Sequence, residues 1–186
     1  MDLLDIFHDL QQLIDLFIEL NTTRTFTDRR ELDHLAQSLC HRLLLCPSAR
    51  ITTTPEDIIR ESLRLSTLIY IRTILPSYPS RDRVYKTLVE KLKWCINGIN
   101  FSGFASNGVV GELVLWLLFV GGTVDLGDAH KAWFVVRISK VSEALQLREW
   151  GEVKAGLKKF LIVEELHDRP YSALWNQAVM GEALAT

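Results

Sequence analysis

Two Glu-x-x-His pairs stand out as residues whose types and spacing suit chemistry: Glu31-Leu-Asp-His34 and Glu164-Glu-Leu-His167. Di-iron helical bundles use two such pairs, with further glutamates from neighbouring helices, because iron takes mixed carboxylate and imidazole ligands that all project inward. Facing decides against such a centre here. On the helix expected around His34, the apolar stripe is Leu32, Leu39 and Leu43. At about 100° per residue, His34 points nearly opposite that stripe. A ligand that faces water cannot share a metal with one that faces the core, so no metal site is expected.

Glu164 and Asp168 form the second constellation, sharing a helical face with Leu157, Phe160 and Leu161. Two acids on an apolar face are costly unless paired. Arg64 and Arg72 lie inside another apolar helix and are the natural partners. One reading is an acid/base pair in a cleft. The other is a buried ion network of Arg64, Glu164 and Asp168 that fixes helix register. The network is preferred, because neither a nucleophile, a metal set nor a phosphate loop accompanies the acids. No catalytic, cofactor-binding or metal residue is therefore assigned. Gly121-Gly122 lacks the lysine and strand context of a phosphate loop, and Cys40-His41 with Cys46 lacks zinc spacing.

The elements that must position these residues all read as helices. Residues 2–20 carry an apolar stripe of Leu3, Ile6, Phe7, Leu10, Ile14, Phe17 and Ile18, with acids around it and no balancing cation. That pattern fits a helix packed on the body of the domain; the rival reading is an acidic partner-binding segment. A second helix covers 28–45. Thr54-Pro55-Glu56-Asp57 is a helix start, with a capping hydroxyl, proline at the first position and acids in the first turn. The helix it opens runs to Leu75 and is apolar nearly all round, which makes it central. A helix over 81–96 follows, then a Gly/Asn/Ser-rich loop over 97–107, expected to be the most mobile.

The most apolar stretch is 109–120, expected to stop at Gly121-Gly122 through a left-handed glycine. Asp128 is a candidate cap for the next helix, and Trp150-Gly151 marks a further joint. The pattern then predicts a helix over 152–167, a break at Asp168-Arg-Pro170 and a terminal helix over 171–184. Trp116, Phe119, Trp133, Phe134, Trp150 and Trp175 read as core, since aromatics at helical spacing usually pack on one another. Nowhere does strand-like alternation persist. The expected fold is all-α, a single-domain array of about eight helices over residues 1–186.

Bulk composition agrees. The chain has 186 residues, 48% hydrophobic and 24% charged, with net charge −2, values of a soluble domain. Its cations are dispersed, so direct nucleic-acid contact is not expected. Three cysteines make a disulfide framework implausible. The most apolar uncharged run, 113–124, is too short to span a bilayer, and the start lacks the basic and apolar pattern of a secretory signal.

Several blocks, in order, resemble one family. They are Glu61-Ser-Leu-Arg64-Leu-Ser-Thr-Leu68-Ile-Tyr70-Ile-Arg-Thr-Ile-Leu75, then Leu113-Val-Leu-Trp116-Leu-Leu-Phe-Val-Gly121-Gly122, then Ala132-Trp133-Phe134, and Phe160-Leu161-Ile-Val-Glu164-Glu-Leu-His-Asp168-Arg-Pro170 with Leu174-Trp175. The chain is similar over about residues 55–176 to the fungal-specific transcription factor domain, which lies C-terminal to binuclear zinc-cluster DNA-binding domains. Ile162 departs from the family's tryptophan but keeps the site apolar. The resemblance implies an all-helical regulatory region, nuclear, without enzymatic activity or cofactor, whose partners are proteins of the transcription machinery or a small effector. The cysteine cluster and basic segment that bind DNA in that family are absent from this sequence. The expectation is therefore the regulatory part of a longer regulator, a truncated product, or a stand-alone, cytoplasmic relative that binds small molecules.

Overall fold

The computed structural model describes residues 3–23, 26–46, 54–75, 82–99 and 108–183. The loops expected over 48–53, 77–80 and most of 97–107 lie outside them. Among the described residues every regular element is an α-helix: α1 (Leu3–Thr23), α2 (Phe26–Leu45), α3 (Pro55–Ile74), α4 (Asp82–Asn97), α5 (Gly108–Gly122), α6 (Asp128–Ala144), α7 (Trp150–Leu157) and α8 (Glu164–Ala183). The all-α expectation holds. No described helix is long and apolar enough to cross a membrane.

Two helices organise the rest. Helix α3 packs against α1, α2, α4 and α5, and α5 packs against α3, α4, α6, α7 and α8. Both are hidden for sequence-legible reasons. Every residue of α3 from Glu61 to Ile71 is buried, as its all-round leucine and isoleucine content requires. Its start is the expected one: the Asp57 N–H donates to Thr54 Oγ1 across 3.1 Å, with Pro55 at the first position. Two of its buried hydroxyls are served locally, Ser62 by the Ile58 carbonyl and Thr67 by the Leu63 carbonyl, both at 2.8 Å. In α5 the run Val114–Val120 is fully enclosed. Helix α1 lays Leu10, Leu13 and Ile14 into the core, and its Asp9 pairs with Arg42 of α2, so the acidic helix does have a balancing cation.

Three local expectations are corrected. Gly121 and Gly122 are not a left-handed stop; they complete α5. A Cβ on Gly121 would lie 2.6 Å from Phe134 Cε1, and one on Gly122 would lie 3.1 Å from Phe134 Cβ. The glycines exist for the close approach of α6. Left-handed backbone falls instead at Gly127, φ 90°, which caps α6 in place of Asp128, the first helical residue. The third correction concerns the expected helix over 152–167. Helix α7 ends at Leu157, a short link follows, and α8 runs unbroken through Pro170. The apolar run Phe160–Val163 is a link, with Leu161 and Val163 buried and Phe160 and Ile162 half-buried. Its backbone is held by the core: Trp116 Nε1 donates to the Leu161 carbonyl across 2.9 Å. Pro170 removes only the bond to the Leu166 carbonyl, and Leu166 is on the exposed face.

Candidate functional site

The expected Arg64–Glu164–Asp168 network does not form; it splits into two unrelated pairings. Arg64 is buried, and its whole fork is used within its own neighbourhood. Nε donates to Glu61 Oε2 across 2.7 Å, Nη2 to Glu61 Oε1 across 2.6 Å, and Nη1 to the Leu43 carbonyl near the end of α2 across 3.1 Å. The bidentate geometry suits guanidinium and carboxylate. The hydrogen bonds that Arg64 donates to Glu61 hold the Arg64 pKa above its ordinary value against desolvation. Glu61 precedes Arg64 by one helical turn, a spacing that places the two side by side. That signal was in the sequence, and the more distant acids drew the assignment away from it.

Glu164 and Asp168 do come together, but at the surface, with side chains 48% and 44% exposed. Lys154 of α7 bridges them, at 2.9 Å from Glu164 Oε2 and 2.7 Å from Asp168 Oδ1. Lys158 reaches Glu164 Oε1 at 2.6 Å. The cluster clips α7 to α8 across the link. The hydrogen bonds from Lys158 and then Lys154 hold the Glu164 carboxyl down at about 2. A carboxyl ionised so firmly is a poor proton-transfer group near neutral pH.

The two Glu-x-x-His pairs part as expected from facing. His34 is exposed and His167 is buried. Among the described residues no group of three His, Cys, Asp or Glu side chains is placed to hold a metal. His167 instead closes the start of α8: its Nδ1 lies 3.1 Å from the Val163 N–H, from which one tautomer accepts, and 3.0 Å from the Val163 carbonyl, to which the other donates. Its Nε2 is a buried atom without a hydrogen-bond partner. The imidazole stacks on Tyr70, ring centroids 4.9 Å apart, and lies 5.1 Å from the Tyr171 ring. Burial pushes its pKa down to about 4. The expected core aromatics join the same assembly, with Trp116 5.7 Å from Tyr70 and Phe119 5.2 Å from Tyr171.

The feature with binding geometry was not legible beforehand. The end of α2, α3 and the start of α4 enclose an open groove of about 450 Å³. Leu65 and Leu68 of α3 form its floor, Val84 and Leu88 of α4 its wall, and Leu44 its lip. Leu44 and the adjacent Leu45 are 66% and 69% exposed, large values for side chains that would gain by burial. Arg83 and Lys91 stand on the α4 side. Neither has an ion-pair partner among the described residues. A smaller cavity of about 280 Å³ lies between α6 and α8, bounded by Trp175, Ala178 and Ser142; the Ser142 hydroxyl is buried without a hydrogen-bond partner.

Comparison with protein families, characterised proteins and solved structures finds no match to this chain.

Proposed function

We propose that this chain is the regulatory region of a fungal transcription regulator, acting in the nucleus by protein contact rather than by catalysis or by touching DNA itself. The observation that carries the binding role is the groove between α2, α3 and α4. Its leucine floor, the exposed Leu44 at its lip with Leu45 beside it, and two cations without an ion-pair partner among the described residues are features of a surface that buries apolar area against a partner. The regulatory assignment draws on the resemblance, whose blocks fall in order on α3, α5, α6 and α8 and supply much of the core. The test is transcriptional. The full chain, fused to a heterologous DNA-binding domain in yeast, is expected to change reporter output relative to that domain alone. Unchanged output from a well-expressed, folded fusion overturns the assignment.

A second reading is a stand-alone protein that binds a small molecule. The unpartnered Ser142 hydroxyl beside the Trp175 wall favours it, since a buried hydroxyl without a partner is costly. A ligand there raises the melting temperature, and Ser142→Ala removes the shift.

A further inference from the structure

We propose that the α2–α3–α4 groove docks an acidic amphipathic helix of a partner protein, laid along α4 with its apolar face on Leu65 and Leu68 and its carboxylates on Arg83 and Lys91. The inference rests on the protein-contact reading above and adds the partner's chemistry and register.

Charge selects the sign of the partner. The buried Arg64 beneath the groove is neutralised by Glu61 and the Leu43 carbonyl. It offers no unsatisfied charge. The remaining cations, Arg83 and Lys91, have no acidic partner among the described residues, on a chain whose net charge is −2. Local positive charge on a slightly acidic protein attracts and orients an acidic segment.

Shape selects a helix. Arg83 and Lys91 are eight residues apart on one face of α4, about 12 Å at the helical rise. Val84 and Leu88 lie between them. A helix alongside α4 meets both cations when its own acids are seven or eight residues apart, with apolar residues at the i+3 and i+4 positions between. The apolar surface continues out of the groove onto Leu44, which suits a ligand longer than a compact metabolite. A second copy of this chain is a poorer occupant. Its acidic amphipathic helix, α1, already buries Leu10, Leu13 and Ile14 against its own core.

The experiment uses the full chain and two synthetic helical peptides of about 15 residues. Both carry leucines at i, i+3/i+4 and i+7 spacing. One places glutamates seven apart on the flanks, and the other places lysines there. Fluorescence anisotropy is expected to show binding of the glutamate peptide in preference to the lysine peptide, weakening with salt. Arg83→Glu with Lys91→Glu changes two exposed groups, and urea midpoints confirm that the variant is folded. It is expected to weaken the glutamate peptide about tenfold, the sum of two exposed pairs, and to reverse the preference. Val84→Asp weakens both peptides. Equal binding of the two peptides, no binding in the millimolar range, or indifference to charge reversal overturns the proposal. So does a dimer, seen by sedimentation, that the reversal abolishes while neither peptide binds. Peptide binding without a reporter effect retains the groove and removes the transcriptional role; a reporter effect indifferent to the reversal does the opposite.

Discussion

The Trp116 indole donates to the Leu161 carbonyl across 2.9 Å, and that bond joins the apolar helix α5 to the non-helical link between α7 and α8. Leu161 sits in the link between α7 and α8, and link carbonyls inside a core need a partner from elsewhere. Phe cannot supply one. Trp116→Phe therefore leaves a buried acceptor unmet and removes packing volume from a fully enclosed site. The expected loss is about 2–4 kcal/mol, read as a lower urea midpoint with an unchanged m-value. Trp116→Tyr, with its hydroxyl wrongly placed, does no better.

Arg64 and Glu61 make the sharper test of the corrected ion pairing. Both side chains are about nine-tenths buried, so removing one partner strands the other. Glu61→Gln is expected to destabilise by about 3–5 kcal/mol. Replacing both, Glu61→Leu with Arg64→Met, recovers much of that loss, because an apolar pair has no desolvation cost. Glu164→Gln touches an exposed lysine clip instead and should leave the urea midpoint within experimental error. A large effect at Glu164 and none at Glu61 would contradict the structure.

The glycines of α5 and α7 are expected to respond in opposite directions to one methyl group. At Gly121 the new Cβ meets Phe134 ring atoms at 2.6 and 2.7 Å and Leu92 at 3.0 Å. Overpacking of that kind costs about 1–3 kcal/mol, more than the helix-propensity gain of about 1 kcal/mol. Gly151 is inside α7 with nothing within 4 Å of a built Cβ, so Gly151→Ala should stabilise by about 0.4–1 kcal/mol. Thermal melts of the two single variants decide the matter.

What the sequence disclosed, and what it hid, follows from the range of each signal. Helix α3 was legible because its cap, its proline and its all-round apolarity act within one element. The Phe160–Val163 link was not. Four apolar residues look alike in a buried helix and a buried link, and what decides between them is Trp116, far off in the chain. Pro170 looked like a break because proline statistics ignore whether the freed carbonyl can reach water. Gly121-Gly122 showed a helix end, but its reason lies in Phe134 on the next helix. The groove needed the relative placement of three helices, and no local pattern encodes that. Its cations lay unremarked among dispersed lysines and arginines.

Acid should destabilise this protein chiefly through His167. Burial holds the folded pKa of His167 at about 4, below its ordinary 6.5. Between those values the unfolded chain binds a proton that the folded chain refuses, so stability rises with pH across the window. It is complete above about pH 6.5 and is lost as pH falls toward 4. The gap corresponds to about 3 kcal/mol. Glu164, held near 2 by Lys158 and Lys154, is exposed, so the contribution it makes above about pH 4.5 and loses as pH falls toward 2 is small. The amide of His167→Gln can accept from the Val163 N–H or donate to the Val163 carbonyl and has no titrating ring. Urea midpoints measured from pH 7 to 4 should fall steeply for the wild type and only shallowly for the variant. Parallel pH profiles would place the acid sensitivity elsewhere than at His167.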